Sequence, residues 1–370
     1  MGVPLLDLRA QHATLREESE AALRRVVEAQ QFILGDEVAA FEREMASLVG
    51  VPHALGVASG TDALLLALRG AGVQRGEEVV VPSFTFFATA GAVVNAGGTP
   101  VFADIEPEAF NLDPAALESA VSDRTRAIVV VHLFGQCADL EPILSLAARR
   151  GIAVIEDAAQ AIGATYHSRQ AGSMGLAGCL SFFPSKNLGG YGDGGMITTT
   201  DAALDARLRR LRVHGQTGTY LHQEVGFNSR LDALQAAVLR YRLGTLDAMI
   251  ERRRSNAERY RALLADVPIR LPRQKPYEFH TFVNFVSQCD RRDELQKHLA
   301  GKGVQTVVHY NTPIHLQPAA ESLGCRRGQF PVTERLCETI LALPANQTLA
   351  EDDIAFVASE IRAVLGPSAS

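Results

Sequence analysis

The chain has 370 residues and a 47% hydrophobic content, enough to bury a large core and to form two domains. A net charge of −6 and a pI near 6.0 give no electrostatic case for nucleic acid or an anionic membrane as partner. Five cysteines, odd in number and without a CxxC pair, argue against a disulfide framework or a zinc site and fit the cytoplasm. The opening Met1-Gly2-Val3-Pro4 has no signal-peptide pattern, and no stretch reaches the roughly 20 apolar residues of a membrane span.

In chain order, residues 14–30 and 36–49 read as amphipathic helices, the second opened by Asp36 with Val38, Phe41, Met45 and Leu48 at helical spacing. Residues 53–59 read as a strand that feeds a helix through Gly60-Thr61-Asp62. Such a junction offers free N–H groups and a hydroxyl to an anion, although an ordinary capped helix reads the same way. Strands follow at 78–82, 100–104 and 127–131, with helices at 85–95, from Asn111 onward and at 139–150. This alternation implies a mostly parallel sheet covered on both faces.

Residues 151–157 read as a buried strand ending in Asp157, where open α/β sheets place ligands; Asp157 also serves equally well as a helix N-cap. Strands at 178–183 and 195–200 flank the glycine-dense loop Phe183-Pro184-Ser185-Lys186-Asn187-Leu188-Gly189-Gly190. A lysine ending a buried strand must be paired, lose its proton, or be consumed as an imine, unless it is a plain surface lysine. The imine is the chemistry of pyridoxal phosphate (PLP), and a carboxylate such as Asp157 suits that cofactor's ring nitrogen. The letters Gly190-x-Gly192-x-x-Gly195 match a dinucleotide fingerprint, but they precede a strand rather than open a helix. No P-loop motif occurs, and His309 and His315 lack an acidic partner at metal-ligand spacing.

Beyond residue 201, helices are expected at 202–212 and 231–265. A smaller α/β domain follows, with strands near 279–287 and 304–310 and helices near 291–301, 332–342 and 350–365. Thr348-Leu349-Ala350-Glu351 reads as a capping box for the last helix, and the residues from Gly366 read as a tail.

Several runs together resemble the DegT/DnrJ/EryC1/StrS family of PLP-dependent nucleotide-sugar aminotransferases. They are Ser59-Gly60-Thr61-Asp62-Ala63-Leu64, Pro82-Ser83-Phe84-Thr85-Phe86, Glu156-Asp157-Ala158-Ala159-Gln160, the Lys186 loop, Gly226-Phe227-Asn228-Ser229-Arg230-Leu231 and Val308-His309-Tyr310. The resemblance runs in order from about residue 30 to 350. It implies fold type I: a large PLP-binding domain (1–245) with a mostly parallel seven-stranded sheet, and a small C-terminal α/β domain (246–370). It also implies that Lys186 binds PLP as a Schiff base and moves the proton, while Asp157 pairs with the ring nitrogen. Phe86 would stack on the ring (or be a core phenylalanine), Gln160 would lie near it, and Gly60, Thr61 and Ser181 would bind the phosphate. Asn228 would reach the cofactor of a neighbouring subunit, making a homodimer with shared sites, and Arg230, His309 and Tyr310 would face the nucleotide sugar.

The implied reaction moves an amino group from L-glutamate to a keto-sugar nucleotide. Relatives with histidine at the lysine position resemble dehydratases, so Lys186 favours transamination. The Phe183-Pro184-Ser185-Lys186, Gly192-Asp193-Gly194-Gly195 and His280-x-Phe282-x-Asn284-Phe285 runs resemble members acting at C3 or C2, with a 3-keto sugar preferred and a 2-keto or 3-keto uronic acid close behind. Two alternatives stand beside this reading: an aminotransferase for a keto-cyclitol, and a non-catalytic PLP-binding regulator.

Overall fold

A computed structural model describes residues 2–367; residues 368–370 of the expected tail lie outside the described residues. Seven strands form the main sheet: β1 (His53–Val57), β2 (Glu78–Pro82), β3 (Thr99–Ala103), β4 (Thr125–Val131), β5 (Ala153–Asp157), β6 (Ala177–Ser181) and β7 (Gly195–Thr199). Their spatial order is β1-β7-β6-β5-β4-β2-β3. Only β7 runs antiparallel to its neighbours, because it returns directly from β6 through the loop that carries Lys186.

The strands are apolar on both faces, and their side chains divide between the sheet's two faces at period two. Val80, Ile128, Val130, Val154, Leu180 and Met196 pack beneath the helices Asp36–Val49, Leu140–Arg150 and Ala233–Leu243. Val79, Val81, Val129, Ile155 and Ile197 pack beneath Gly60–Gly70, Ala88–Ala96 and Ala202–Leu211. This double cover leaves only the strand ends open to a ligand, and the parallel strands all present their carboxyl ends on one side.

A second core gathers Ala257, Tyr260, Phe285, Leu295, Leu341, Val357 and Ile361, and Val3 from the other end of the chain joins it. Here β8 (Phe285–Gln288) pairs antiparallel with β9 (Ile340–Leu343). Asp104, just beyond β3, ties the two units together. Its carboxylate accepts from the N–H groups of Val332 and Thr333 and from Thr333 Oγ1, capping the helix Pro331–Thr339.

Several expected elements differ. The helix expected over 231–265 is two, Ala233–Leu243 and Leu246–Leu263, separated at Gly244-Thr245. Glycine's backbone freedom and threonine's β-branching favour a break there. The break also lets the first helix cover the sheet while the second supplies Ala257 and Tyr260 to the second core. The helix expected from Thr85 begins at Ala88. No strand spans 304–310; that segment makes only isolated bridges, from Val304 to Val3 and from Val307 to Ala342. The strand expected over 279–287 is split into Glu278–Phe279 and β8, and the helix expected to 342 stops at Thr339 so that β9 can form. The last helix is capped two residues later than expected. Asp353 accepts from the Ala350 N–H, while Thr348 Oγ1 donates to Asn346 Oδ1.

His280 lies fully buried between the two units. Its ring stacks on Phe282, with centroids 3.8 Å apart, and its Nδ1 accepts from the Phe282 N–H at 3.0 Å. Burial pushes its pKa down from 6.5 to about 3. The folded-state value lies below the unfolded one, so this residue's contribution is complete above pH 6.5 and is lost as pH falls toward 3. Relative to pH 7.5, lowering the pH to about 5.5 should cost the wild type about 1.4 kcal/mol more than a His280→Asn variant. Urea denaturation of both proteins at the two pH values checks this, and equal losses would mean that His280 is not held neutral.

Candidate active site

A cavity of about 580 Å³ opens at the carboxyl edge of the sheet and against the second unit. The ends of β1, β2, β4, β5 and β6 all reach it, through Ser59 to Thr61, Thr85 and Phe86, Val131, Asp157, and Ser181. Nine of the sequence-expected residues line it: Gly60, Thr61, Phe86, Asp157, Gln160, Ser181, Lys186, His309 and Tyr310. Asn228 and Arg230 do not. Asn228 is exposed and Arg230 half-buried, on the segment after the hairpin Gln216–His222.

The loop between β6 and β7 folds back on itself. Phe182 N–H donates to the Gly194 carbonyl and Gly190 N–H to the Phe182 carbonyl, each at 2.8 Å, while Lys186 N–H donates to the Phe183 carbonyl at 2.8 Å. Glycine is required where this loop meets β1, since a Cβ on Gly195 would stand 2.3 Å from the Ser59 carbonyl. Lys186 is thereby held on the cavity wall, and it makes no ion pair or side-chain hydrogen bond among the described residues. Burial lowers its pKa, against the opposing pull of Asp157.

Asp157, at the end of β5, is buried and kept in place by two donors. Thr89 Oγ1 donates to Oδ2 at 2.9 Å and the Ala159 N–H to Oδ1 at 3.2 Å. Burial raises its pKa more than these bonds and the charge of Lys186 lower it. Two opposite charges thus share one cavity without pairing, each made costly by the same lack of water.

The helix Gly60–Gly70 begins at the cavity. Ser59 Oγ accepts from the Asp62 N–H at 3.1 Å, so the N–H groups of Gly60 and Thr61 remain without an acceptor among the described residues. Ser181 closes against this turn, leaving a Cβ on Gly60 only 2.7 Å from the Ser181 Cβ. The result is a tight cradle of N–H groups and hydroxyls at a helix N-terminus, suited to a phosphate.

On the other side, Phe86 stands 57% exposed, with its ring 6.1 Å from Tyr310. Gln160 has a fixed orientation, because its Oε1 accepts from the Phe134 N–H at 2.9 Å and its Nε2 donates to Tyr310 OH at 3.4 Å. Burial raises the Tyr310 pKa, and burial together with the Lys186 charge pushes His309 down to about 4. Both rings are therefore neutral at pH 7, and neither offers a negative charge to Lys186.

Sequence reasoning missed Thr89 and Arg253, and it named Ser59, Thr85 and Asn284 only within motif runs, without individual roles. Only Thr89 left a usable signal: with Thr85 it forms an i, i+4 hydroxyl pair beside the Phe86 motif, and the two hydroxyls lie 3.2 Å apart. Arg253 and Asn284 line the cavity from the second unit, which local patterning does not place.

A family model described as the DegT/DnrJ/EryC1/StrS aminotransferase family matches residues 13–362. A Geobacillus stearothermophilus protein named "Pleiotropic regulatory protein" is 44% identical, over 98% of this chain and 98% of its own. An Acidithiobacillus ferrooxidans protein named UDP-N-acetyl-3-dehydro-alpha-D-glucosamine 3-aminotransferase is also 44% identical, over 98% of each chain. The crystal structure of DesV from S. venezuelae in complex with a ketimine intermediate superposes with a TM-score of 0.96 at 42% identity, covering 98% of each chain.

Thr89→Val preserves shape while removing the hydroxyl from a buried carboxylate. The change should destabilise the protein by roughly 1–3 kcal/mol at pH 7. Urea denaturation reads this loss, and an unchanged midpoint would mean that Thr89 does not hold Asp157.

Proposed function

The chain belongs to the DegT/DnrJ/EryC1/StrS aminotransferase family, and on that premise we propose that it uses PLP to move an amino group from L-glutamate to a keto-sugar nucleotide, with C3 of a hexose as the preferred carbon. One observation carries the reading. An unpaired lysine and a buried, hydrogen-bonded aspartate face the same cavity, beside a helix N-terminus with free N–H groups.

The residues fit the cofactor. Gly60 packs so closely on Ser181 that an added Cβ would clash, and Gly60, Thr61 and Ser181 together would bind the phosphate. Lys186 would be the covalent anchor, Asp157 the partner of the ring nitrogen and Phe86 the cover over one ring face. When bound, PLP supplies the electron sink that makes a proton beside the reacting nitrogen acidic.

The chain supplies the rest. Lys186 Nζ, lowered by burial, takes and returns that proton in both halves of a ping-pong cycle. Thr89 and the Ala159 N–H fix the Asp157 carboxylate, which would hold a proton on the cofactor's ring nitrogen. Gln160, held by Phe134, keeps Tyr310 oriented toward the cavity. Phe86, with Tyr310 beside it, would flank the reacting centre on the cavity's open side. His309, Tyr310 and Arg230 would face the sugar nucleotide, and the exposed Asn228 would complete the phosphate site of a second copy in a homodimer.

The name of the Acidithiobacillus relative supports C3 of a nucleotide-linked sugar. The name of the Geobacillus relative favours the regulatory alternative, but a non-catalytic binder needs no unpaired, pKa-lowered lysine opposite its aspartate. Among the described residues no helix is long and apolar enough to cross a membrane, and no cluster of metal-ligating side chains occurs.

An absorption spectrum of the purified protein with PLP, before and after glutamate, tests the reading. A yellow band that shifts to shorter wavelength is expected; no band, even after incubation with PLP, would end it. Keto-sugar nucleotides and keto-cyclitols are then compared as acceptors. Lys186→Ala should lose at least about 100-fold in turnover, and Asp157→Asn should lose a comparable factor together with cofactor retention, both read by steady-state kinetics. Mixing inactive Asn228→Ala and Lys186→Ala subunits should restore activity through heterodimers with one intact site. No recovery in the mixture would place Asn228 outside the partner's site.

A further inference from the structure

Arg253 lies on the helix Leu246–Leu263 with 4% of its surface exposed, and it lines the cavity that holds Lys186 and Asp157. Its Nη1 donates to the Val283 carbonyl at 2.8 Å. That is its only side-chain hydrogen bond among the described residues, and no carboxylate there lies within ion-pair distance. Burial without any counter-charge pushes its pKa down to about 10, so it stays a cation at neutral pH.

Buried guanidinium groups are expensive unless paired, because leaving water costs several kcal/mol per ion. Two cations elsewhere in the chain show the usual solution. Arg212 meets Glu42 at 2.7 Å, and Arg209 meets both Glu42 and Asp205. Arg253 has no such partner from the chain. Its Nε and Nη2 edge, which receives a carboxylate through two parallel hydrogen bonds, is left unbonded. Asn284 lines the same wall, half-buried, and its amide makes no hydrogen bond among the described residues.

We propose that Arg253 and Asn284 form the site that binds a carboxylate of the amino donor, and so set the enzyme's preference for an acidic amino acid. The proposal rests on the reading of the chain as an aminotransferase and assigns one substrate's anchor within it. The surroundings favour a small acid over the sugar nucleotide. Arg253 shares its wall with Phe282, Phe285 and Leu343, all part of or packed on the closed second core. A nucleoside diphosphate needs a mouth open to solvent, and the exposed rings of Phe86 and Phe183 mark the cavity's open side instead.

The anchor also explains how one cavity serves two unlike substrates in turn. Lys186 and Asp157 are common to both halves of the cycle, whereas the guanidinium is used in one. A donor without a carboxylate would leave Arg253 buried and unpaired, which is a penalty against the wrong substrate as well as an attraction for the right one.

The test separates this site from the aminotransferase reading. Binding of glutarate, an unreactive dicarboxylate, is measured by calorimetry on the holoenzyme. In parallel, each half-reaction is followed by single-turnover absorbance, with glutamate on the PLP form and with keto-sugar nucleotide on the pyridoxamine form. Arg253→Gln should weaken glutarate binding and slow the glutamate half-reaction at subsaturating donor by about 100-fold, while the sugar half-reaction changes less than about threefold. Arg253→Lys should restore part of the loss. Asn284→Asp, which alters a side chain without hydrogen bonds and so should keep the melting temperature, should weaken glutarate at least about tenfold by charge repulsion. The proposal is overturned if glutarate affinity is unchanged in Asn284→Asp and Arg253→Lys. It is equally overturned if the sugar half-reaction falls as far as the glutamate one, since Arg253 would then serve the nucleotide or the cavity wall alone. Wild-type protein without a cofactor band would defeat the aminotransferase reading itself, independently of these comparisons.

Discussion

Everything at the cavity depends on keeping opposite charges close while denying them each other and denying them water. Lys186 and Asp157 both face the same low-dielectric space, and burial moves both toward their neutral forms. In a structural ion pair the two would meet, and each would keep its charge by holding the other. Here Asp157 is instead held from the side by Thr89 and the Ala159 N–H, and Lys186 by the backbone of its own loop. The fold thus holds a carboxylate and an amine on one cavity wall with a gap between them.

That gap is a property of the sheet as a whole. Five strands end at it, and the double cover of the sheet leaves only their ends open to it. The single antiparallel strand, β7, is the device that introduces the lysine. A parallel successor to β6 would need a long crossover, which would carry residues 182–194 away over one face. Returning at once keeps Lys186 beside Asp157, and the glycines let the returning loop pass close to β1. The second unit closes the remaining side, and Asp104 fixes it to the edge of β3 through the cap of the helix Pro331–Thr339.

How much of this was legible in the sequence follows from which interactions are local. Apolar strands such as Val79-Val80-Val81 and Ala127-Ile128-Val129 are visible because both faces are buried and no polar residue interrupts them. The Lys186 loop stands out because a lysine among glycines follows such a strand, and Asp157 with the family motifs weighs it against a plain surface lysine. The lost helix continuity at Gly244 was less clear, since Arg and Leu on both sides keep helical periodicity through a break that only the two separate cores require. The segment 304–310 has strand-like composition, yet its bridging partners, Val3 and Ala342, come from distant parts of the chain. Arg253 was invisible for the same reason. On its helix it is one of three successive arginines, Arg252 to Arg254, and only the fold decides which of them is buried at the cavity.

Glu156 and Asp157 show most directly why adjacency in sequence says little about chemistry. Neighbours on a strand face opposite sides of the sheet, so two consecutive carboxylates enter unrelated surroundings. Glu156 is fully buried and fully engaged. Gly172, Met174 and Gly175 donate their N–H groups to it, and His132 Nε2 donates at 3.0 Å, its tautomer set because Nδ1 accepts from the Ala138 N–H. Burial opposes its charge, but His132 and these backbone donors outweigh that, and its pKa is held below the usual value. Asp157 has two donors rather than four, and its pKa moves the other way. The first carboxylate uses its hydrogen-bonding capacity to fasten the loop 172–175 against β5; the second keeps part of its capacity free at the cavity. Strand periodicity separates them, and the number of donors around each decides which is structure and which is site.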